Sequence, residues 1–164
     1  MKGQETKMEQ MRGMRRLLYR WGMTWIAVQE KQFHRDMLKK EIEDSYDTVK
    51  AIIIDGMPKG KGVKASGVEG GLASAERQRK GYVELSEILS RQIAEEMRFK
   101  LAIDDLIKEL SKNERDVIRM RYRDNMKPAN IARAIHYTER HVARLEYRAV
   151  EKMSENVRKC PGMS

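Results

Sequence analysis

Between Leu110 and Met153 the chain carries three helix starts separated by two breaks, and this punctuation limits the fold more than any other feature. Ser111 followed by Glu114 has the spacing of a capping box, in which serine satisfies a free amide of the first turn and glutamate reaches back to the cap. Val117, Ile118 and Met120 to Tyr122 supply the apolar stripe of the helix that follows, and Arg123-Asp124-Asn125 is polar enough to end it. Lys127-Pro128 opens a second, short helix, because proline at a first helical position lacks only an amide that would be unpaired anyway. Its buried face is Ile131, Ala132 and Ile135, and His136-Tyr137 forms the break. Thr138 then caps a third helix, in which Val142, Leu145, Ala149 and Met153 recur at three- and four-residue spacing. Three helices, the last two joined by a tight turn, make a helix-turn-helix.

The outward face of the third helix points to a ligand. Glu139, Arg140, His141 and Arg144 lie in its first two turns, opposite Val142 and Leu145, and Arg148 and Lys152 continue the basic side. Residues in such turns can reach base edges in a major groove, so double-stranded DNA is the expected partner. From Leu110 to Met153 the chain resembles region 4 of housekeeping-class bacterial sigma factors, whose pattern runs VLRMRF, a loop, an Ile-Ala pair, a turn, and then an Arg- and Glu-rich helix. The counterparts here are Val117 to Tyr122, Ile131-Ala132, the turn Ile135 to Thr138, and Arg140 to Val150. The resemblance implies promoter-reading positions at Glu139, Arg140 and Arg144 and a phosphate contact at Arg121. Glu139-Arg140 stands where the family has arginine then glutamate, Ala143 where it has arginine, and Arg144 where it has glutamine. A base sequence other than the standard promoter hexamer is therefore implied. His136 replaces the usual turn glycine, and histidine is among the residues enriched at positive φ.

Composition agrees with an all-α protein. Charged residues make up 36% of the chain and aromatics 6%, and no run of period-two alternation occurs. The formal net charge of +9 suits a polyanion. Between Ser111 and Lys159 there are thirteen basic residues against seven acidic ones, so most of the excess sits on the helix-turn-helix. The single cysteine, Cys160, permits no intrachain disulfide, and Arg20 interrupts the apolar run after Arg15-Arg16 that would otherwise resemble a signal peptide. A cytoplasmic protein without a membrane partner is expected. His34, His136, His141 and Cys160 have no metal-site spacing, and no serine or cysteine has a base partner, so neither enzyme, metal nor cofactor is expected.

Upstream, residues 1–28 read as a polar start to about Gln10 and then an amphipathic helix with Leu17, Leu18, Trp21, Trp25 and Val28 on one side and a kink at Gly22. Its apolar side can dock on the chain's own core or on a partner. Residues 29–109 read as a long antiparallel helical hairpin for oligomerisation or partner binding. Leu38, Ile42, Tyr46, Val49 and Ile53 mark one seam; Tyr82, Leu85, Leu89, Phe99, Ile103, Leu106 and Leu110 mark the other, from about Ser74. That second stripe passes through Gln92 and Glu96 or drifts through Ile93 and Met97. The glycine-rich stretch 56–71 is read as the connection; it has one residue too few for a phosphate-binding loop, and Lys61 precedes glycine rather than serine or threonine. The helix-turn-helix domain then occupies 110–155 and a tail 156–164.

A helical pair, a Met-Pro-Lys-Gly loop and a sigma-region-4-like unit in that order resemble the small phage and prophage regulators of the RinA and ArpU type. This implies a sequence-specific transcriptional regulator, an activator of late genes, acting as a homodimer, with RNA polymerase as a further candidate partner. The sites are Arg121, Lys127, Thr138, Glu139, Arg140, His141, Arg144 and Arg148. The alternatives are a DNA-recognition protein resembling a terminase small subunit, and a module that grips RNA polymerase without reading DNA.

Overall fold

The computed structural model describes residues 2–55 and 66–157, with the side chains of 6–47, 50–51 and 70–157. Helices α1 (Lys2–Asp55) and α2 (Ser66–Lys108) form the long antiparallel hairpin. Then come α3 (Lys112–Ile118), which runs on as a π-helical turn over Arg119–Arg123, α4 (Pro128–Ala134) and α5 (Glu139–Val157). No strand occurs among the described residues.

Both long helices exceed the lengths read from sequence. Helix α1 is continuous through the polar start to Gln10 and across the boundary between Val28 and Gln29. Its polar stretches are rich in Glu, Lys, Gln, Arg and Met, which are strong helix formers, and no proline intervenes. Helix α2 starts at Ser66 rather than near Ser74 and takes in Gly67, Gly70 and Gly71. Glycine weakens a helix by about 1 kcal/mol per residue without blocking its hydrogen bonds as proline does. The rest of the expected connection, 56–65, lies outside the described residues. So do Cys160 with the tail from 158, and the side chains of Val49 and Ile53.

The chain divides into two compact units, Val28–Glu95 and Met1–Ala27 with Glu96–Ser164. In the former, Leu38 and Ile42 of α1 are half-buried, and Arg79 of α2 lies over the Tyr46 ring at 4.5 Å. The inward line of α2 runs through Tyr82, Leu89 and the buried Ile93, while Leu85 is exposed and Gln92 faces solvent. The stripe thus takes the drifting course, as a helix of 3.6 residues per turn requires over this length.

The other unit holds the main core. Met11, Met14, Leu18 and Trp21 of α1 pack with Ile103, Leu106, Ile107 and Leu110, and with Ile118, Tyr122, Ala149, Val150 and Met153 of the helix-turn-helix. The N-terminal stripe therefore docks on the chain's own core, although Trp25 of the expected stripe is 55% exposed. Burying a side chain such as Leu18 contributes about 1.5–3 kcal/mol. Trp21 keeps its polar edge satisfied by donating Nε1–H to Asp104 Oδ1 at 2.9 Å, and Lys100 holds the other oxygen at 2.6 Å. Arg20 covers the Phe99 ring at 4.3 Å and pairs with Glu96 at 3.3 Å.

Gly22 lies within the unbroken α1. It marks the place where the α1 backbone meets the carbonyl of Tyr122 at the end of the π-helical turn, so that a β-carbon would overlap that carbonyl. Backbone on both sides leaves nothing that can move aside. Gly13, about two and a half turns earlier on the same helix, has nothing within 4 Å of its missing β-carbon. Gly22→Ala should lower stability in urea unfolding by about 1–3 kcal/mol, whereas Gly13→Ala should raise it by about 0.5–1 kcal/mol. Equal shifts in the two variants would contradict the close approach.

Candidate nucleic-acid interface

The helix-turn-helix is built on a small core of Val117, Ile131, Ala132, Val142 and Leu145, with Met120, Met126 and Ile135 packed against it. Its turn is closed by backbone geometry. His136 takes φ 56°, and Tyr137 N–H donates to Ala132 O at 2.9 Å while His136 N–H reaches Arg133 O at 3.4 Å. This is the Schellman pattern, with histidine in the left-handed position that glycine usually fills. The earlier loop turns in the same way at Asn125, φ 50°, whose neighbour Met126 donates to Met120 O at 2.9 Å. Thr138 caps α5: its Oγ1 accepts from His141 N–H at 3.3 Å, and its carbonyl accepts from His141 and Val142.

These two turns place the expected site residues. Thr138, Glu139, Arg140, Arg144 and Arg148 are exposed along the outer side of α5, and Lys127 is exposed where α4 begins. His141 is half-buried, with its ring against Tyr137 at 4.5 Å between centroids. Arg121 is directed inward: it donates Nη1–H to Met126 O at 3.0 Å, and so holds the residue that precedes Lys127. Three residues escaped the sequence reading. Tyr147 is 48% exposed beside Arg144 and Arg148, Tyr137 is 42% exposed with its hydroxyl accepting from Asn113 at 3.2 Å, and Arg133 is exposed at the end of α4. For Tyr147 the signal was there, since it stands three and seven residues beyond Arg144 and Arg140, one side of a helix.

Two acids of α5, Glu146 and Glu151, are drawn to other helices, while Glu139 and Glu155 stay exposed. Glu146 accepts a hydrogen bond from the buried Tyr122 hydroxyl at 2.8 Å and faces Arg15 Nε at 3.7 Å. Burial, reinforced by the Glu146 charge, pushes the Tyr122 phenol above its ordinary pKa, so it stays a donor throughout the physiological range. Glu151 pairs with Lys7 of α1. Arg140, Arg144 and Arg148 have no acidic partner among the described residues.

Residues 100–153 match the family model of sigma-70, region 4. No curated protein and no solved structure matched the chain. The match covers the end of α2 and nearly all of the helix-turn-helix, and it points to a DNA-binding, transcription-related module of a non-enzymatic kind. Among the described residues no cluster of three or more potential metal ligands occurs, and no helix is long and apolar enough to cross a membrane.

One cation expected on the basic side of the region-4-like unit is otherwise engaged. Lys152 turns towards α3 and donates to both Glu114 oxygens, at 2.8 and 2.9 Å. Glu114 is 3% exposed and also accepts from Ser111 N–H at 3.1 Å and Ser111 Oγ–H at 2.8 Å, the glutamate arm of the capping box. Burial alone would push its carboxyl up, but the bonds from Lys152 and Ser111 together outweigh it and leave the pKa below the ordinary value. A depressed carboxylate stabilises the fold above the unfolded pKa, and that contribution is lost as pH falls through the folded one. Glu114→Gln should cost about 1.5–3 kcal/mol at neutral pH, and the gap to the parent protein in urea unfolding should close below about pH 4. A gap that stayed constant into acid would remove the ion pair as its cause.

Proposed function

We propose that this protein is a sequence-specific transcriptional regulator that lays α5 in the major groove of DNA. The observation that carries this is the line of exposed, unneutralised Arg140, Arg144 and Arg148 on a helix whose opposite side is locked into the turn by Val142 and Leu145. Arg140 and Arg144 donate to guanine edges or to phosphate, with Glu139, His141 and Thr138 beside them at the groove entrance. Lys127 contacts the flanking backbone, and Arg121 sets the loop that presents it.

The finer reading is a regulator of phage or prophage genes of the RinA and ArpU type, an activator of late genes that works as a homodimer with RNA polymerase close by. It is supported by the order of parts, a long helical pair and then a region-4-like unit. Exposed Phe33 and Met37 on α1 and Leu85 and Ile88 on α2 offer apolar surface for a second copy.

The test is selection and sequencing of genomic and prophage DNA fragments bound by the purified protein. One discrete site upstream of a gene cluster is expected. Arg140→Ala and Arg144→Ala should each weaken it by about 1–3 kcal/mol and relax base preference, while Lys127→Ala should weaken all sequences alike. A site within packaging genes would move the reading to DNA packaging. Binding with no preferred sequence, unchanged in Arg144→Ala, would overturn the proposal.

A further inference from the structure

Helix α1 runs beside α5 in the opposite direction: Lys7 pairs with Glu151, and Arg15 faces Glu146 one helical stretch further on. Between Gln10 and Gln29 this part of α1 holds four arginines and no acid. Two of the four are neutralised within the fold, Arg15 by Glu146 and Arg20 by Glu96. The other two, Arg12 and Arg16, are exposed and have no acidic partner among the described residues.

Their direction follows from helix geometry. The core side of α1 is defined by Met11, Met14, Leu18 and Trp21, and the line facing the helix-turn-helix by Arg15 and Gly22. At 100° per residue, Arg12 and Arg16 fall about 60° and about 100° beyond Arg15, away from the core. On α5 the corresponding step outward from Glu146 and Val150 leads to Ala143 and Tyr147, both exposed, and then to Arg140 and Arg144. Two antiparallel helices that share a seam and a buried side must also share the solvent side. Arg12 and Arg16 therefore extend the basic surface of α5 across the seam.

We infer that Arg12 and Arg16 form a second DNA-backbone contact, which grips phosphates flanking the groove that α5 enters. Arginine forks match phosphate oxygens, and such contacts fix register and affinity without reading bases. The contact lies outside the segment that matches sigma-70 region 4, so it belongs to this chain's own N-terminal helix. It rests on the reading of α5 as the DNA-binding helix.

The test compares the full-length protein with the double variant Arg12→Gln, Arg16→Gln on a mixed-sequence duplex and on the duplex recovered by selection, over a series of salt concentrations. Each lost phosphate contact lowers the slope of log K against log salt by roughly 0.9, so the double variant should lose about 1.8. Both duplexes should be weakened by the same factor, leaving base preference intact. Arg20→Gln removes the same charge at a position already paired with Glu96 and should leave the slope unchanged, with urea midpoints confirming that every variant is folded. If the double variant keeps the parental slope while Arg144→Ala still loses base preference, the second contact is overturned and the α5 reading stands. If the unaltered protein shows no salt-dependent binding to either duplex, both fall together.

Discussion

The seat of α1 against the end of the π-helical turn is the contact on which the rest of this unit depends. Gly22 lets two backbones meet at the Tyr122 carbonyl, and that approach brings Tyr19 edge-on to the Tyr122 ring at 4.8 Å between centroids. Tyr122 is then covered on its faces and has one polar exit, its hydroxyl, which Glu146 takes. A hydroxyl buried without an acceptor costs more than a made hydrogen bond gains, so the carboxylate is held inward. From one missing methyl group there follows a choice of side for an acid on α5.

That choice, repeated, shapes the electrostatics of the outer surface. Helix α5 carries acids and bases in alternation, and left to itself such a helix would pair them along its own length. Here Glu146 goes to Tyr122 and Arg15, Glu151 to Lys7, and Lys152 crosses to Glu114 on α3. Every one of these pairs lies at a seam between helices, so three arginines and two glutamates are left exposed on the open side. These half-exposed pairs contribute orientation more than stability, since solvent screens much of their attraction. What they supply to function is a surface on which Arg140, Arg144 and Arg148 have no ion-pair partner among the described residues.

Much of this unit was legible in the sequence because its signals are local. The Ser111-Glu114 cap, the Lys127-Pro128 start and the Thr138 cap each act within a few residues, and His136 declares its unusual φ by standing where a glycine would serve. The long helices were harder. Their polar stretches have no sharp ends, and glycines at 67, 70 and 71 suggest a break that helix propagation overrides. The least legible features are those made by tertiary approach. Gly22 looks like a flaw in a helix until Tyr122 arrives, and Lys152 looks like one more cation on α5 until Glu114 is placed opposite it. Helical spacing assigns a residue to a side, but which helix occupies that side is set by packing between segments that are distant in the chain, 38 residues apart for Lys152 and Glu114.

The same distinction explains why α1 was read as a separate element. Its stripe of Met11, Met14, Leu18 and Trp21 is complete without naming a partner, and any apolar surface of the right width would satisfy it. What makes α5 the neighbour is the coincidence of one glycine, one buried tyrosine and two acids at the matching pitch, each of which is unremarkable alone. On the inference drawn above, docking there sets Arg12 and Arg16 on the same solvent side as Arg140 and Arg144, and the field of a cluster reaches further than that of its members taken singly. The N-terminal helix thus acts on the electrostatics of the α5 surface while its apolar side acts on the fold, and the two roles are separable because they lie on different sides of one helix.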